Sequence, residues 1–222
     1  MGDNENYIPF YSFLSGKERL EIENNSRSMS FKKGEAVNPG QDCQGFIIVK
    51  SGQLKAFSLS EDGREITLFR FFSRDLCIFT ASCLLRDIDF GVNVISEEDS
   101  ECILVPTLVV DRIRKENIKV SNYICSILSS HLSDLMWLID QILNKRLDSR
   151  LAAYLCEEAE LKGNHCLKLT HEEIARNLGS RREVISRTLS YLEKEGEVAV
   201  KRGSLEILDM GKLSQRASES LR

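Results

Sequence analysis

The apolar positions of the chain change their period twice. From about residue 28 to residue 105, short apolar runs alternate with polar residues and are separated by glycines, the period of half-buried strands. Asp62-Gly63 between two of these runs favours a hairpin. Many short strands at regular spacing predict a sandwich, barrel or roll, after a short helix over residues 8–24. The clearest runs are 29–34, 45–52, 53–59, 65–72, 92–96 and 101–105.

After Pro106 the spacing becomes helical and remains so to about residue 162. One apolar stripe steps by four and three residues and covers an arc of only about 80° on a helix. Such a narrow stripe is typical of the contact between two helices. We therefore predict that it packs against the same stripe of a second copy of the chain and forms a dimer. It consists of Ile124, Leu128, His131, Leu135, Leu138 and Ile142.

An adjacent stripe on the same helix is available to pack on the chain's own β domain, and the alternative is that both stripes are buried within one subunit. It consists of Cys125, Leu132, Met136, Ile139 and Leu143. His131 in the first stripe is typical of a polar residue that fixes register, and a haem-ligand or pH-sensor role is the alternative. Polar residues 144–148 predict a hinge.

Residues 170–196 contain two short helical patterns separated by one glycine. Thr170 with Glu173 forms a capping box, and Gly179 has the backbone freedom that a sharp turn requires. Ser180 with Glu183 is a second candidate capping box, and Gly196 favours a helix end. The inward apolar positions of the second helix are Val184, Ile185, Leu189 and Leu192.

The polar face of the second helix carries Arg182, Glu183, Ser186 and Arg187 near its start. Recognition helices in the major groove carry base-contacting side chains at such positions. Arginine can bind the O6 and N7 atoms of guanine, and glutamate can accept a hydrogen bond from cytosine. The alternative is a solvated charged face in which Glu183 is only a cap.

Residues 197–208 predict a β-hairpin directly after this helix, which is the position of a wing. Lys201 and Arg202 near its tip could contact phosphates, or they could form a solvated turn. Thr170 and Arg181, which lie close to the starts of the two helices, complete the set of candidate DNA-contacting residues.

Charge is unevenly distributed along the 222 residues, whose net charge is −4. Residues 1–144 carry −6 and residues 145–222 carry +2, so the more basic part contains the two-helix motif. The acidic start lacks the apolar core of a secretory signal, and no apolar run approaches membrane-spanning length. Seven scattered cysteines are typical of reduced thiols. We therefore expect a cytoplasmic protein without a membrane partner.

The order β domain, long heptad helix and winged helix-turn-helix resembles the Crp/Fnr family of bacterial transcription regulators over nearly the whole chain. The resemblance implies an α+β fold whose N-terminal domain is a β-roll of the double-stranded β-helix or jelly-roll type. The most specific resemblance lies in residues 169–196, and residues 45–54 are similar to the glycine-punctuated core of the family's cyclic-nucleotide-binding-like roll. The resemblance implies a homodimer that binds double-stranded DNA at a near-palindromic site and acts on RNA polymerase. The implied domains are a sensor (1–120), a dimerisation helix (121–144) and a winged helix-turn-helix (145–222).

The family's base-contacting positions match this chain one by one. Arg182 and Glu183 match the adjacent Arg-Glu of the catabolite-activator type. Glu183, Ser186 and Arg187 match the Glu-x-x-Ser-Arg of the fumarate-nitrate type. The hypothesis is therefore half-sites with a TGA core, in which Arg187 and Glu183 contact the G·C pair and Arg182 tunes the outer position.

The sensor departs from the family's cyclic-AMP pattern of Gly-Glu followed by Arg-Ser/Thr-Ala. Cys77-Ile78 stands where Gly-Glu would be, and Asp89-Phe90-Gly91 stands near the second motif. A buried phosphate needs an arginine partner, and Arg86 is a weak substitute, so we expect an effector other than cyclic AMP. The candidate pocket residues are Cys77, Ile78, Cys83, Arg86, Leu128 and His131.

The cysteine positions bear on the nature of the signal. No cysteine precedes Cys43, so the N-terminal cysteine cluster of the family's iron–sulfur branch is absent. Cys77 and Cys83 could form a redox switch or bind another cofactor, or they could be two buried apolar side chains. The cofactor, if any, stays unknown, and no metal site is predicted.

Two other classes of function compete with the DNA-binding regulator. An enzyme is not expected, because the chain lacks a phosphate-binding glycine loop, a zinc-spaced His/Cys set and a plausible triad, so no catalytic residue is proposed. The second alternative is a cyclic-nucleotide-like ligand-binding interaction module without direct DNA binding. Salt-dependent binding to duplex DNA separates that module from a regulator.

Overall fold

The computed structural model describes residues 3–37, 45–61, 63, 65–80 and 91–218. The chain divides into two compact units. The first comprises residues 1–59 and 68–133, and the second comprises residues 60–67 and 134–222. Helix α3 (Ile118–Asn144) therefore contributes to both units.

The first unit contains two antiparallel sheets. One has the strand order β1-β7-β2-β5, and the other has the order β4-β3-β6. Burial alternates along β6, where Val92, Val94 and Ser96 are buried, whereas β2 begins with four consecutive buried residues. The strands are β1 (Arg27–Phe31), β2 (Phe46–Ser51), β3 (Leu54–Leu59), β4 (Glu65–Phe71), β5 (Leu76–Cys77), β6 (Val92–Ser96) and β7 (Ser100–Val105). The predicted β-roll is confirmed.

The N-terminal segment differs from the single helix predicted over residues 8–24. A 3₁₀ turn at Tyr11–Phe13 precedes helix α1 (Gly16–Asn25). Ser15 caps α1 in a reciprocal capping box with Glu18, and this cap fixes the start of the helix. The predicted start at residue 8 is wrong, because the Ser15 cap and not the apolar spacing determines where the helix begins.

An apolar core of the first unit packs strands β2, β5 and β7 of the first sheet against the helical segments. Phe10, Ile22 and Ile48 are fully buried in it. Helix α2 (Thr107–Glu116) adds Val110 and Ile113. Asn117 separates α2 from α3, and its side-chain oxygen accepts hydrogen bonds from the next turn's backbone amides. The helical region predicted after Pro106 is therefore three helices, of which α3 is the longest.

The two apolar stripes of α3 differ in burial from the prediction. Ile124 is only 8% exposed and belongs to the core of its own subunit, and Leu128 packs against that core. In contrast, Leu132, Met136 and Leu143 are 62%, 58% and 75% exposed. The prediction that this second stripe packs on the chain's own β domain is wrong. Apolar spacing gives two parallel stripes, and only packing decides which stripe the roll covers.

The second unit contains a winged helical domain. Its elements are α4 (Leu147–Lys162), β8 (Cys166–Leu167), α5 (His171–Asn177), α6 (Arg182–Lys194), β9 (Val198–Lys201), β10 (Ser204–Ile207) and α7 (Met210–Ala217). The strand order is β8-β10-β9. Residues 145 and 146 separate α3 from α4, within the predicted hinge. Leu151, Ile174, Ile185 and Leu213 meet in one core.

In the described part of the chain, no helix has the length and apolarity needed to cross a membrane.

Candidate functional sites: the helix-turn-helix surface and the sensor interior

The first helix of the motif, α5, begins with the capping box that its sequence predicts. The Glu173 backbone amide donates to Oγ1 of Thr170 over 3.1 Å, and the Thr170 amide donates to Oε2 of Glu173 over 2.7 Å. Both amides would otherwise lack a partner at the helix start. Thr170 is exposed in this position, where a phosphate could also approach.

The turn between α5 and α6 is built around Gly179. Its φ of +62° lies in the left-handed region, which glycine adopts without steric cost. The Ser180 amide donates to the Ala175 carbonyl over 2.9 Å, so Ser180 completes the end of α5. The residue that precedes α6 is Arg181, and its side chain makes no capping hydrogen bond. The predicted second capping box, with Ser180 as the cap, is therefore wrong.

Helix α6 presents a charged surface at its start. Ile185, Leu189 and Leu192 face the core and fix the rotation of the helix. Arg182, Glu183 and Arg187 are consequently exposed on the opposite side, and Ser186 is half-buried between them. Within the described part of the chain, the arginine side chains at 181, 182 and 187 form no ion pair, so they are available to an anionic partner.

The wing is a tight hairpin of β9 and β10 with Arg202-Gly203 at its tip. Lys201 pairs with Glu206 across the hairpin, with 2.8 Å between Nζ and Oε2, and this pairing raises the pKa of Lys201. Arg202 is exposed at the turn. Glu193 of α6 accepts a hydrogen bond from the Val200 amide over 2.9 Å, and this bond holds the wing against the end of α6.

A buried ion cluster that the sequence did not suggest stabilises this domain. Glu197 is buried at the start of β9, and its carboxylate accepts hydrogen bonds from the guanidinium of Arg216 in α7. Arg216 also lies 3.4 Å from Asp148 and stacks over the Tyr191 ring. The hydrogen bonds to Glu197 raise the pKa of Arg216. Arg216 therefore stabilises the domain through its ion pairs, whereas Arg182 and Arg187 of α6 form none in the described part of the chain.

The interior of the sensor contains an aromatic cluster that sequence analysis missed. The His131 ring of α3 lies 4.6 Å from Phe69 and 5.8 Å from Phe79, measured between ring centroids. Phe71 lies 6.1 Å from His131. The alternation of residues 68–72 on β4 was a signal for Phe69 and Phe71, but their meeting with His131 depends on tertiary packing. We define Phe69, Phe71, Phe79 and His131 as the aromatic cluster.

The other candidate pocket residues lie in different surroundings. Ile78 and Leu128 both contribute to the core of the first unit. Cys77 is fully buried in β5, and burial raises the pKa of its thiol to about 12. A thiol with that pKa is a poor nucleophile at neutral pH. Cys83 and Arg86 lie outside the described residues, so the proposed Cys77–Cys83 pair is not tested.

A charged group lies on the other face of the β4-β3-β6 sheet. Glu97 accepts a hydrogen bond from the Gln53 side chain over 2.7 Å. Its carboxylate also lies 3.2 Å from Nε of Arg70 and 3.7 Å from Nζ of Lys55. Because Arg70 alternates with Phe69 and Phe71 along β4, it points away from the aromatic cluster. In the described ranges, no group of His, Cys, Asp and Glu side chains could hold a metal ion.

Two family models match the chain. Residues 28–117 match the cyclic nucleotide-binding domain, and residues 149–216 match the Crp-like helix-turn-helix domain. Together they cover nearly all of the strands of the roll and nearly all of the winged helical domain.

Known proteins with similar sequences and folds are transcription regulators. A crystal structure of a protein described as a Crp/Fnr-family transcriptional regulator from Eubacterium rectale is 42% identical, covers 96% of this chain and 100% of its own, and has a TM-score of 0.92. The global nitrogen regulator of Synechococcus elongatus is 25% identical over 97% of this chain and 99% of its own length. The fumarate and nitrate reduction regulatory protein of Vibrio cholerae is 26% identical over 96% of this chain and 87% of its own length.

These similarities extend over the roll, the long helix and the winged helix-turn-helix, in the same order as in the structure. The chain belongs to the Crp/Fnr family of transcription regulators, with a helix-turn-helix DNA-binding domain and a sensor domain of the cyclic-nucleotide-binding type.

Proposed function

We propose that this regulator recognises DNA through the start of α6 and that its sensor responds to an effector other than cyclic AMP. The observation that carries the first part is the exposed trio of Arg182, Glu183 and Arg187, which the packing of Ile185 and Leu189 turns away from the core. No catalytic step is part of the proposal, and the proposed location is the cytoplasm. RNA polymerase is the proposed downstream partner.

We assign each proposed base contact from the hydrogen-bond donors and acceptors of the side chain and the base. Arg187 donates to a guanine, Glu183 accepts from a cytosine amino group, and Arg182 contacts the outer base pair of a TGA-containing half-site. Ser186 is half-buried and contributes a hydroxyl at the edge of this surface. Thr170, Arg181, Lys201 and Arg202 are the proposed phosphate contacts, among which Lys201 is the weakest because it already pairs with Glu206.

The proposed dimer seam shifts toward the exposed stripe of α3. Crp/Fnr regulators bind DNA and act as dimers. Ile124, Leu128 and His131 pack within their own subunit, whereas Leu135, Leu138 and Ile142 remain at the edge of the seam. The proposed central residues step by four and three, as in a coiled coil: Leu132, Met136, Ile139 and Leu143. The proposed domains keep the ranges 1–120, 121–144 and 145–222.

The effector proposal is supported by the aromatic cluster. Three phenylalanine rings and His131 occupy the sensor interior between β4 and α3, where a charged cyclic phosphate would have to be desolvated. A phosphate in such surroundings is stable only with a cationic partner. An uncharged or apolar signal molecule suits this interior better.

The test combines DNA selection with a salt titration. The full-length protein is used to select duplexes from a randomised pool, and the selected duplex is titrated at several salt concentrations. We expect inverted repeats with TGA half-sites about one helical turn apart, and an affinity that falls steeply with salt because phosphate contacts release counterions. If no sequence were enriched from the pool, or if binding did not depend on salt, the result would favour the interaction module without direct DNA contact.

The seam is tested separately by Leu132→Glu/Met136→Glu. Two buried carboxylates per helix would oppose association, so sedimentation should show monomers. The affinity for DNA should fall strongly, because a monomer contacts only one half-site. Ser126→Glu on the exposed start of α3 is the matched control and should leave the dimer intact. A dimeric double variant would show that the seam lies elsewhere.

A further inference from the structure

The exposed stripe of α3 continues toward the start of the helix, beyond the proposed central residues of the seam. Leu132 and Ile139 lie seven residues apart. The same step leads back from Leu132 to Cys125 and then to Ile118. Ile118 is 70% exposed, and Cys125 is exposed as well. Because residues seven positions apart lie on nearly the same face of a helix, Cys125 belongs to the stripe of the proposed dimer seam.

Cys125 faces away from the core of its own subunit. Val120, Ile124 and Leu128 of α3 pack in that core. Cys125 lies about 100° around the helix from the mean direction of these three side chains. Its thiol is consequently not covered by its own subunit, in contrast to the fully buried Cys77.

The heptad positions around Cys125 favour a parallel pair of α3 helices. If Leu132 and Ile139 are d residues, Cys125 is also a d residue, and Asn122 is the a residue before it. An asparagine at a single a position specifies the register and the two-stranded state of a parallel dimer. Only residues 145 and 146 separate α3 from α4, so a parallel pair brings both winged helical domains to the same end of the seam, as binding to one inverted repeat requires.

In a parallel pair that is in register, each d residue faces its own copy. The Cα atoms of a helix lie about 2.3 Å from its axis, and the axes of packed helices are about 8–10 Å apart. The Cα atoms of Cys125 and of Cys125 of the partner subunit are then roughly 4–6 Å apart. A disulfide joins Cα atoms that are about 4.4–6.8 Å apart. The two thiols therefore lie within the span of a disulfide.

The side chains next to Cys125 allow the two helices to approach closely. The hydroxyl of Ser129, the following a residue, donates to the Cys125 carbonyl over 2.9 Å and so stays against its own helix. Farther along the seam, Met136 and Leu143 are large apolar residues at the equivalent positions. Because Asn122 and Ser129 are polar, the seam around Cys125 admits water and small solutes.

We propose that the two Cys125 thiols of the dimer form an intersubunit redox site, which oxidation converts to a disulfide that locks the DNA-binding dimer. The oxidant is a small-molecule disulfide such as oxidised glutathione. One Cys125 thiolate attacks it, forms a mixed disulfide and releases one small thiolate. Cys125 of the partner subunit then attacks Sγ of the mixed disulfide and displaces the second small thiolate. The two protein thiols lose two electrons and two protons, and the two small thiols gain them.

The inference rests on the proposed seam, and the first experiment detects the covalent link. Full-length protein is incubated with oxidised glutathione, free thiols are alkylated, and the products are separated on a non-reducing gel. We expect a species of twice the 25.2 kDa subunit mass that dithiothreitol converts back to the monomer. Mass spectrometry should identify the peptide of residue 125 joined to a second copy of itself.

Three variants locate the link. Cys125→Ser should abolish the covalent dimer, whereas Cys166→Ser, at an exposed cysteine outside α3, should leave it unchanged. Cys125→Ser/Ser130→Cys moves the thiol to an exposed position about 140° around the helix from Cys125. This variant keeps the number of thiols but should form no link through α3, because position 130 lies off the seam.

A measurement of DNA affinity tests the locking role. The purified covalent dimer should bind a duplex with two inverted TGA half-sites at least as tightly as the reduced protein, because the disulfide joins subunits that are already paired. On dilution it should stay dimeric in sedimentation. Loss of DNA binding on oxidation, reversed by dithiothreitol, would mean that the link holds another arrangement of subunits and would overturn the proposal.

The possible failures are distinguishable. If the wild type shows no salt-dependent DNA binding, the proposed function fails. If Leu132→Glu/Met136→Glu stays dimeric, the proposed seam fails. If the wild type is dimeric through that seam and the linked peptide of residue 125 does not form, only the redox site fails.

Discussion

The proposed DNA-contacting surface at the start of α6 and the interior of the sensor differ in the burial of their distinctive residues. At the start of α6 the arginines at 182 and 187 are exposed, and the core beneath them only sets their direction. In the sensor, Phe71 and Cys77 are buried, with exposures of 2% and 0%. Substitution at the first site should change binding with little change in stability, whereas substitution at the second should change stability first. The two regions therefore need different experiments.

The largest expected effect concerns the reactivity of Cys77. A thiol pKa of about 12, against an ordinary value near 9, lowers the thiolate fraction at pH 8 by roughly 1000-fold. Alkylation followed by mass spectrometry should label the exposed Cys166 quickly and leave Cys77 unmodified in the folded protein. Rapid labelling of Cys77 would instead support a redox switch in the sensor.

The next effect concerns the aromatic cluster. Phe71→Ala should lower the free energy of unfolding by about 3 kcal/mol, because it leaves a cavity among packed rings. Urea unfolding followed by circular dichroism measures it. The neighbouring Phe72 is 38% exposed, so Phe72→Ala is the matched control and should cost much less. Equal losses at the two positions would mean that the cluster is not a packed core.

Arg187→Ala should have a smaller effect than Phe71→Ala, and it should change the affinity for DNA but not the free energy of unfolding. Loss of a bidentate base contact should cost about 1–3 kcal/mol per half-site and relax the preference at that base pair. The urea midpoint should stay that of the wild type. Lys194→Ala, at the other end of α6, is the control. A large loss of stability in Arg187→Ala would remove the contrast between the two regions.

The smallest effect is expected at the wing. Arg202→Ala should reduce the slope of log affinity against log salt by about 1, because one phosphate contact is lost. Lys201→Ala should change the slope less, since Lys201 already pairs with Glu206. Salt titrations of both variants make the comparison, and a larger effect of Lys201 would reverse the assignment of the wing contact.

Several errors of sequence interpretation have one physical origin. The capping box of Thr170 was predictable because its partners are three residues apart, whereas Ser180 looked equivalent and instead closes α5 through its amide. Local spacing cannot say which of two adjacent elements uses a residue. The Glu197–Arg216 contact joins residues 19 positions apart, and the hydrogen bond between Thr67 and Asn177 joins residues 110 positions apart. No local pattern exists for such pairs.

The sequence by itself determined the order of the elements, the two-helix motif and the exposed charges of α6. These follow from periodicity, caps and glycine, which act over a few residues. Only the tertiary structure decided which stripe of α3 is covered, which rings surround His131 and which side chain lies against Gly179. Those outcomes depend on packing between distant segments, because burial is a property of the assembled core and not of any stretch of chain.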